Sequence, residues 1–394
     1  MYFSPELPLE VLWLLVAAAV CVLLAAAIYF FRVRTVSAYC RRADRERPDK
    51  PDAEYEPASV VVYSQGDAGH LEEILKALLD QDYPAVFEVV VVNEGERSDV
   101  SDLVSMLRAS HSNLYLTYTP DGVVNLSRKK LALTLGVKAA RYGVVVLTTT
   151  AAVIESRMWL RRMMAPFGAS SPVEVVLGFA YVDPAEDKSN GRRRRAFDFV
   201  ADSVRWLGVA IAGKPFRGTE YNIAYRKEVF FRNSGFARSL NLHHGDDDIF
   251  VSQVAGRDNT VVELSRESMV RLRHGNHPRI FTERTLQRHF TESFIRRRPR
   301  ILYPLAGWLQ LAAIICGGVA AIISWPNLQA TLVALVIVAV MLTIDIITWR
   351  KAQEALRSRR LLLSIPWLAV MYPVRRMVSH IHSLLGRQKK YTWD

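Results

Sequence analysis

The chain has 394 residues, half of them hydrophobic, and a formal net charge of +12. That length allows one large domain or two moderate ones, and cysteines at positions 21, 40 and 316 form neither a metal-ligand spacing nor a disulfide framework. A nucleic-acid partner would call for a basic groove with aromatic platforms or a recognisable module, and the sequence has neither. The excess charge sits beside apolar segments, where it suits anionic lipid.

Residues 11–31 carry no charge and are long enough to cross a bilayer. Their leading flank is acidic (Glu6, Glu10) and their trailing flank basic (Arg32, Arg34, Arg41, Arg42). A cleaved signal peptide has the reverse order. Residues 1–35 therefore read as an anchor with the N-terminus outside and the following chain in the cytoplasm. Residues 36–56, charged and proline-rich from Ala43 onward, read as a linker.

A domain is expected over residues 57–300. The apolar runs at 58–64 and 87–93, the stretch 113–118 and the run 144–147 read as strands. Between them, 68–80, 100–110 and 128–141 have the spacing of helices. Strands without strict alternation, separated by helices, predict a parallel sheet covered on both faces. Ligands of such sheets lie at the carboxyl ends of the strands, here Ser64 to Asp67, Asn93 to Asp99 and Thr148 to Ala151. The last of these ends is conspicuous, because Thr148, Thr149, Thr150, Ala151 and Ala152 include no carboxylate, histidine or cysteine.

After residue 156 the alternation breaks. The run Arg192 to Arg195, following an acidic loop at 183–188, reads as a solvated loop near the membrane, with a phosphate or lipid contact as the alternative. Residues 197–213 suggest an amphipathic helix with a wide apolar face. Next come His243, His244, Gly245 and three adjacent carboxylates, Asp246, Asp247 and Asp248, ahead of an apolar run. Acidic residues suit a helix start, but one residue suffices for a cap. Three side by side repel unless protonated, solvated or paired, which makes the cluster a candidate catalytic base. No second cluster at ligand spacing accompanies the histidines, which argues against zinc.

Two further spans are expected at 302–325 and 330–349, forming a hairpin over 301–349, with an uncharged turn from Pro326 to Gln329 outside. The basic stretch 350–360 opens a cytoplasmic tail, 350–394. Asp345 reads as a boundary residue that reaches headgroups or water. Residues 361–373 are too short to cross and contain Pro366, and Arg375 and Arg376 follow, so the region to 385 is expected to be interfacial or re-entrant.

Taken together, DQDYP (80–84), FEVVVVNEG (87–95), SRKKLALTLGVKAA (127–140), GKPFRGTEYNIAYRK (213–227), HHGDDDIF (243–250), QRHF (287–290) and KKYTWD (389–394) resemble the processive-type membrane glycosyltransferases of family 2, most of all a bacterial branch. The resemblance covers essentially the whole chain. It implies an α/β fold: a GT-A (Rossmann-like) nucleotide-sugar-binding domain with a mostly parallel sheet, inserted between one N-terminal and two C-terminal transmembrane helices. It also implies a bacterial inner-membrane location.

In that family an Asp-x-Asp pair holds a divalent ion on the diphosphate of a uridine or guanosine nucleotide-sugar. An acidic residue in a TED-like motif is the base, and a Q-x-x-R-W motif helps hold donor and acceptor. Carried onto this chain, Asp247 takes the position of the base with Asp246 beside it. Arg288 and His289 match the end of the Q-x-x-R motif, with Thr285 where glutamine is expected. Lys129 and Lys130 match a basic pair facing the diphosphate. Glu94 stands where an aspartate is usual, and Glu220 and Tyr221 replace a glycine–arginine pair before Asn222. The Asp-x-Asp positions fall on Thr149 and Ala151, so no metal ligand is assigned and Mg2+ or Mn2+ is not expected at the usual site.

Two readings follow. One is an inert or partner-dependent component of surface-glycan or glycolipid synthesis, in contact with membrane lipid and another protein of that machinery. The other is an inverting transferase that uses a nucleotide-sugar without the ion, with Asp247 as base. A third reading, a transporter or purely structural membrane protein, ranks well below these, since three spans with one terminal charge offer no lined pathway.

Overall fold

The computed structural model describes residues 8–46, 50–64, 68–95, 97–120, 126–183, 185–186, 188–275, 277–295, 302–325, 327–358, 361–385 and 391–392. Residues 65–67 of the first expected strand-end loop, Pro326 of the hairpin turn and most of KKYTWD lie outside them.

Helix α1 (Leu9–Glu46) opens the chain, followed by β1 (Ala58–Tyr63), α2 (Ala68–Leu79), β2 (Phe87–Asn93), α3 (Ser98–Arg108), β3 (Leu114–Tyr118), α4 (Arg128–Ala139) and β4 (Val144–Thr149). These strands run parallel in the order β3-β2-β1-β4, with Val60 of β1 opposite Val89 on one side and Val146 on the other. Strands β1 and β4 are buried at every position, which is why their sequences do not alternate. Close approach of α4 depends on Gly136, where a Cβ would lie 2.5 Å from Val61 Cγ1.

The chain continues through β5 (Ala152–Val153), α5 (Trp159–Met164), β6 (Val175–Leu177), β7 (Ala180–Val182), α6 (Arg192–Ile211), β8 (Ile223–Arg226), α7 (Lys227–Arg232), α8 (Asp248–Val254), β9 (Thr260–Val262), β10 (Val270–Leu272) and α9 (Pro278–Thr291). Strand β8 joins the sheet antiparallel to β4 and to β6, and β9 pairs parallel with β6, so the seven-stranded sheet is mixed. A second sheet has the order β5-β10-β7. Fully buried Asn222 ties the two sheets: its amide donates to Phe179 O (3.0 Å) and Ser268 O (2.8 Å) and its oxygen accepts from Trp159 Nε1 (3.0 Å). Arg192 to Arg195, expected as a loop, form the first turn of α6; Arg195 folds back to donate to Asn190 O and Ser189 Oγ just before the helix.

Helices α10 (Leu302–Ile323), α11 (Leu328–Ala355) and α12 (Ile365–Leu385) follow. Among the described residues, α1, α10 and α11 are the three helices long and apolar enough to cross a membrane, and they pack on one another. Helix α1 runs unbroken to Glu46, well into the expected linker. Val33, Val36 and Cys40 are buried, and Gly208 of α6 lets that helix come within a Cβ contact of Val36 (3.6 Å), so the trailing half of α1 docks on the domain. Asp345 does not sit at an open boundary: it is buried and accepts a 2.5 Å hydrogen bond from Gln310 Nε2 on α10. Residues 365–385 form one helix with Pro373 inside it, resting on α9, α10 and α11. Gly307 of α10 permits this, since a Cβ there would meet Pro373 at 3.1 Å.

Candidate functional site

The first turn of α4, the strand-leading segment before β8, the N-terminus of α8 and the face of α9 converge on a cavity of about 50 Å3. Ser127 caps α4, its hydroxyl accepting from Lys130 N (3.4 Å). The two lysines that follow point to different places. Lys129 reaches the cavity and places its ammonium between two carboxylates, Glu220 and Asp246, the latter at 2.9 Å. Lys130 is fully buried and donates to three backbone carbonyls: Ser239 (2.6 Å), His244 (2.8 Å) and Leu242 (3.1 Å). All three ammonium protons are thus used to hold the loop ahead of the aspartates, and none faces a diphosphate site. Burial pulls its pKa down to about 8.

The three aspartates have different partners. Asp246 is buried, which raises a carboxyl's pKa, but Lys129 outweighs the burial and holds it below its ordinary value. Asp247 caps α8 by accepting from Asp248 N (2.7 Å) and keeps a partly exposed edge on the cavity. Burial, with Asp248 and Asp246 close by, pushes it up to about 7. Asp248 turns away, accepting from Thr291 Oγ1 (2.9 Å) and pairing with Arg217 Nε (3.0 Å). Arg217 in turn pairs with Asp202 of α6 (3.2 Å), which Arg288 of α9 also reaches (2.6 Å). Gly245 makes the turn into this cluster at φ +100°, a conformation glycine alone adopts cheaply.

Of the residues expected at a site, Lys129, Asp246, Asp247 and Arg288 line this cavity. The others are elsewhere. Glu94 accepts from Tyr63 Oη at the ends of β2 and β1. Thr149 is buried and accepts from Ala151 N (3.2 Å), and Thr148 donates to Tyr221 O (3.1 Å), so both hydroxyls at the end of β4 are engaged by backbone groups. Thr285 back-bonds to Phe281 O within α9 (2.8 Å). His289 is buried edge-on to His380, with Nδ1 3.9 Å from Glu292 Oε2. His244, by contrast, does line the cavity and is held neutral there, its pKa drawn down to about 4 by burial.

Sequence reasoning overlooked Asp202, Arg205, Arg217, Glu292 and Arg376, which knit α6, α9 and α12 together. One signal was available: Asp202 and Arg205 are three apart in the apolar second half of α6, and they pair at 3.3 Å.

The residues present do not suit a hard divalent cation. Thr149 offers a neutral hydroxyl, Ala151 offers nothing, and the Glu220 and Asp246 carboxylates already share an ammonium. Among the described residues no group of three or more histidine, cysteine, aspartate or glutamate side chains is arranged to hold a metal.

No protein-family model matches the chain, and no curated protein does. Solved structures do. The mannosyltransferase PcManGT from Pyrobaculum calidifontis, in complex with GDP-Man and Mn2+, superposes with a TM-score of 0.53 over 93% of this chain and 100% of its own, at 18% identity. TarS of S. aureus (TM-score 0.40, 14% identity, 76% of this chain and 55% of its own) and glucosyl-3-phosphoglycerate synthase of Mycobacterium tuberculosis (0.35, 16%, 67% and 80%) are more distant. At such identity the likeness to PcManGT is one of fold: an α/β core with a mixed sheet, accompanied by apolar helices.

Proposed function

We propose that the protein is a membrane-anchored, family 2-like glycosyltransferase homologue of the GT-A type, degenerate at its donor and metal site. In this reading it acts as an inert or partner-dependent component of surface-glycan or glycolipid synthesis, with its α/β domain in the cytoplasm as the basic flanks of the spans direct. The observation that carries the proposal is the Lys129 ammonium clamped by Glu220 and Asp246. A diphosphate entering there has to displace an internal carboxylate from its cation, in a cavity of about 50 Å3, where small-molecule sites measure about 300–1,000 Å3. Two substitutions relative to the family pattern, Glu220 and the Thr149/Ala151 strand end, thus act together: one fills the site with negative charge and the other withholds the ligands for a metal.

One observation favours the second reading. Asp247, at about 7, is matched to proton abstraction at neutral pH and has an edge on the cavity. With Lys129 and Arg288 close by to meet leaving-group charge, an ion-free inverting transferase is the alternative.

Calorimetric titration of the detergent-purified chain with nucleoside diphosphates and nucleotide-sugars, with and without Mg2+ or Mn2+, separates the two. The expected result is no saturable binding to a folded sample under any of these conditions. Saturable, ion-independent binding, accompanied by turnover that Asp247→Asn abolishes, would replace the first reading with the second.

A further inference from the structure

A much larger space lies on the domain-side end of the membrane helices. Helices α9, α10 and α12 border a groove of about 750 Å3, more than ten times the cavity beside Asp247 and within the range of small-molecule sites. Its two ends differ in chemistry. Trp308 of α10, Phe294 after α9 and Leu384 of α12 form an apolar wall, each at least 39% exposed. At the other end lie Arg205 of α6 and Arg376 and His380 of α12.

The charged end has a surplus of cations. Arg205 (2.5 Å) and Arg376 (3.0 Å) converge on one oxygen of Glu292. Among the residues lining the groove, two arginines, Arg205 and Arg376, accompany one carboxylate, Glu292. The Arg205 side chain is only 9% exposed, and its Nε is buried without a hydrogen-bond acceptor, so protein groups leave this guanidinium incompletely satisfied and a further anion on its groove side is favoured.

We propose that this groove seats a membrane lipid with an anionic phosphate headgroup, the phosphate against Arg205, Arg376 and His380 and a hydrocarbon tail along Trp308, Phe294 and Leu384. Three features select a lipid over a soluble anion. The groove is built partly by α10, a membrane-length helix; its apolar wall of Trp308, Phe294 and Leu384 is exposed; and basic pockets at the ends of membrane helices suit phospholipid headgroups. The inference does not rest on the reading of the donor cavity, with which the groove shares no lining residue.

The test is native mass spectrometry of the full chain in detergent, titrated with phosphatidic acid and, in parallel, with diacylglycerol of the same chains and with inorganic phosphate. The expected result is saturable retention of one phosphatidic acid, no retention of diacylglycerol, and no displacement by millimolar phosphate. Arg376→Gln and Leu384→Glu should each weaken retention about tenfold, the size expected for one charge-assisted contact. Equal retention by the wild type and both variants overturns the proposal. Displacement by inorganic phosphate does so too, since it marks a bare anion site. Leu384 is 66% exposed, so Leu384→Glu leaves the packing in place and decides the matter should Arg376→Gln fail to fold.

Discussion

Lys129 and Lys130 are neighbours in sequence with opposite uses. One ammonium bridges two carboxylates at a cavity, and the other is sunk among three carbonyls of the loop before Asp246. The sequence showed a basic pair on a helix start but could not say which lysine turns inward, because the loop that receives Lys130 is more than a hundred residues away. Asp247 was legible as the special member of its triplet; its energetic state was not, since that depends on burial beside Asp246 and Asp248. Its folded pKa of about 7 lies above the ordinary 3.8. Between those values the folded state binds more protons than the unfolded one, so stability falls as pH rises through that window. Asp247→Asn, which fixes the neutral form, should therefore raise the melting temperature relative to wild type at pH 8 and leave it unchanged near pH 4. Parallel thermal melts across that range check the sign.

Helices α6, α8 and α9 are held together by charge as well as by apolar contact. Arg217, 1% exposed, stands between Asp202 of α6 and Asp248 of α8. Removing it leaves two buried carboxylates short of their principal cation, so Arg217→Met should cost about 3–5 kcal/mol in chemical unfolding despite its apolar side chain. The elements of the first half were readable because β1, β2 and β4 each carry an unbroken run of at least three valines and are separated by helices of regular spacing. Strands β5 to β7, β9 and β10, of two or three residues each, are too short to show any period. The arginine run at the start of α6 and the trailing half of α1 were misjudged for a shared reason. Their charge and composition suggest solvated chain, whereas a local turn onto Ser189 and Asn190 in one case and docking on α6 in the other accompany the helix.

At the scale of the molecule, the spans were the plainest feature of the sequence, because twenty-odd uncharged residues in a row have few other uses. What hydropathy could not show is how they are joined. Gln310 and Asp345 link α10 to α11 by a buried hydrogen bond, and alanine-lined contacts bring α1 against both. Hydrogen bonds between membrane helices contribute modestly, so Asp345→Leu should change stability by less than about 2 kcal/mol in detergent unfolding and leave the protein in the membrane fraction.

The pairing of Leu242 with Tyr391, reinforced by Thr392 N donating to Asn241 O at 3.0 Å, fixes a timetable for biosynthesis. Residues 241 and 242 belong to the loop that leads to the aspartates, yet their partners leave the ribosome only after α10, α11 and α12 have been made. At about 5–20 residues per second that is a delay of roughly 8–30 s. Throughout it the loop before Asp246 lacks its last backbone partners, and until α10 and α11 are made the α/β domain is tethered by α1 alone. The cluster is completed only once the hairpin has been inserted, so faulty insertion of α10 and α11 would be felt at Asp246 to Asp248, although neither helix contributes a residue there.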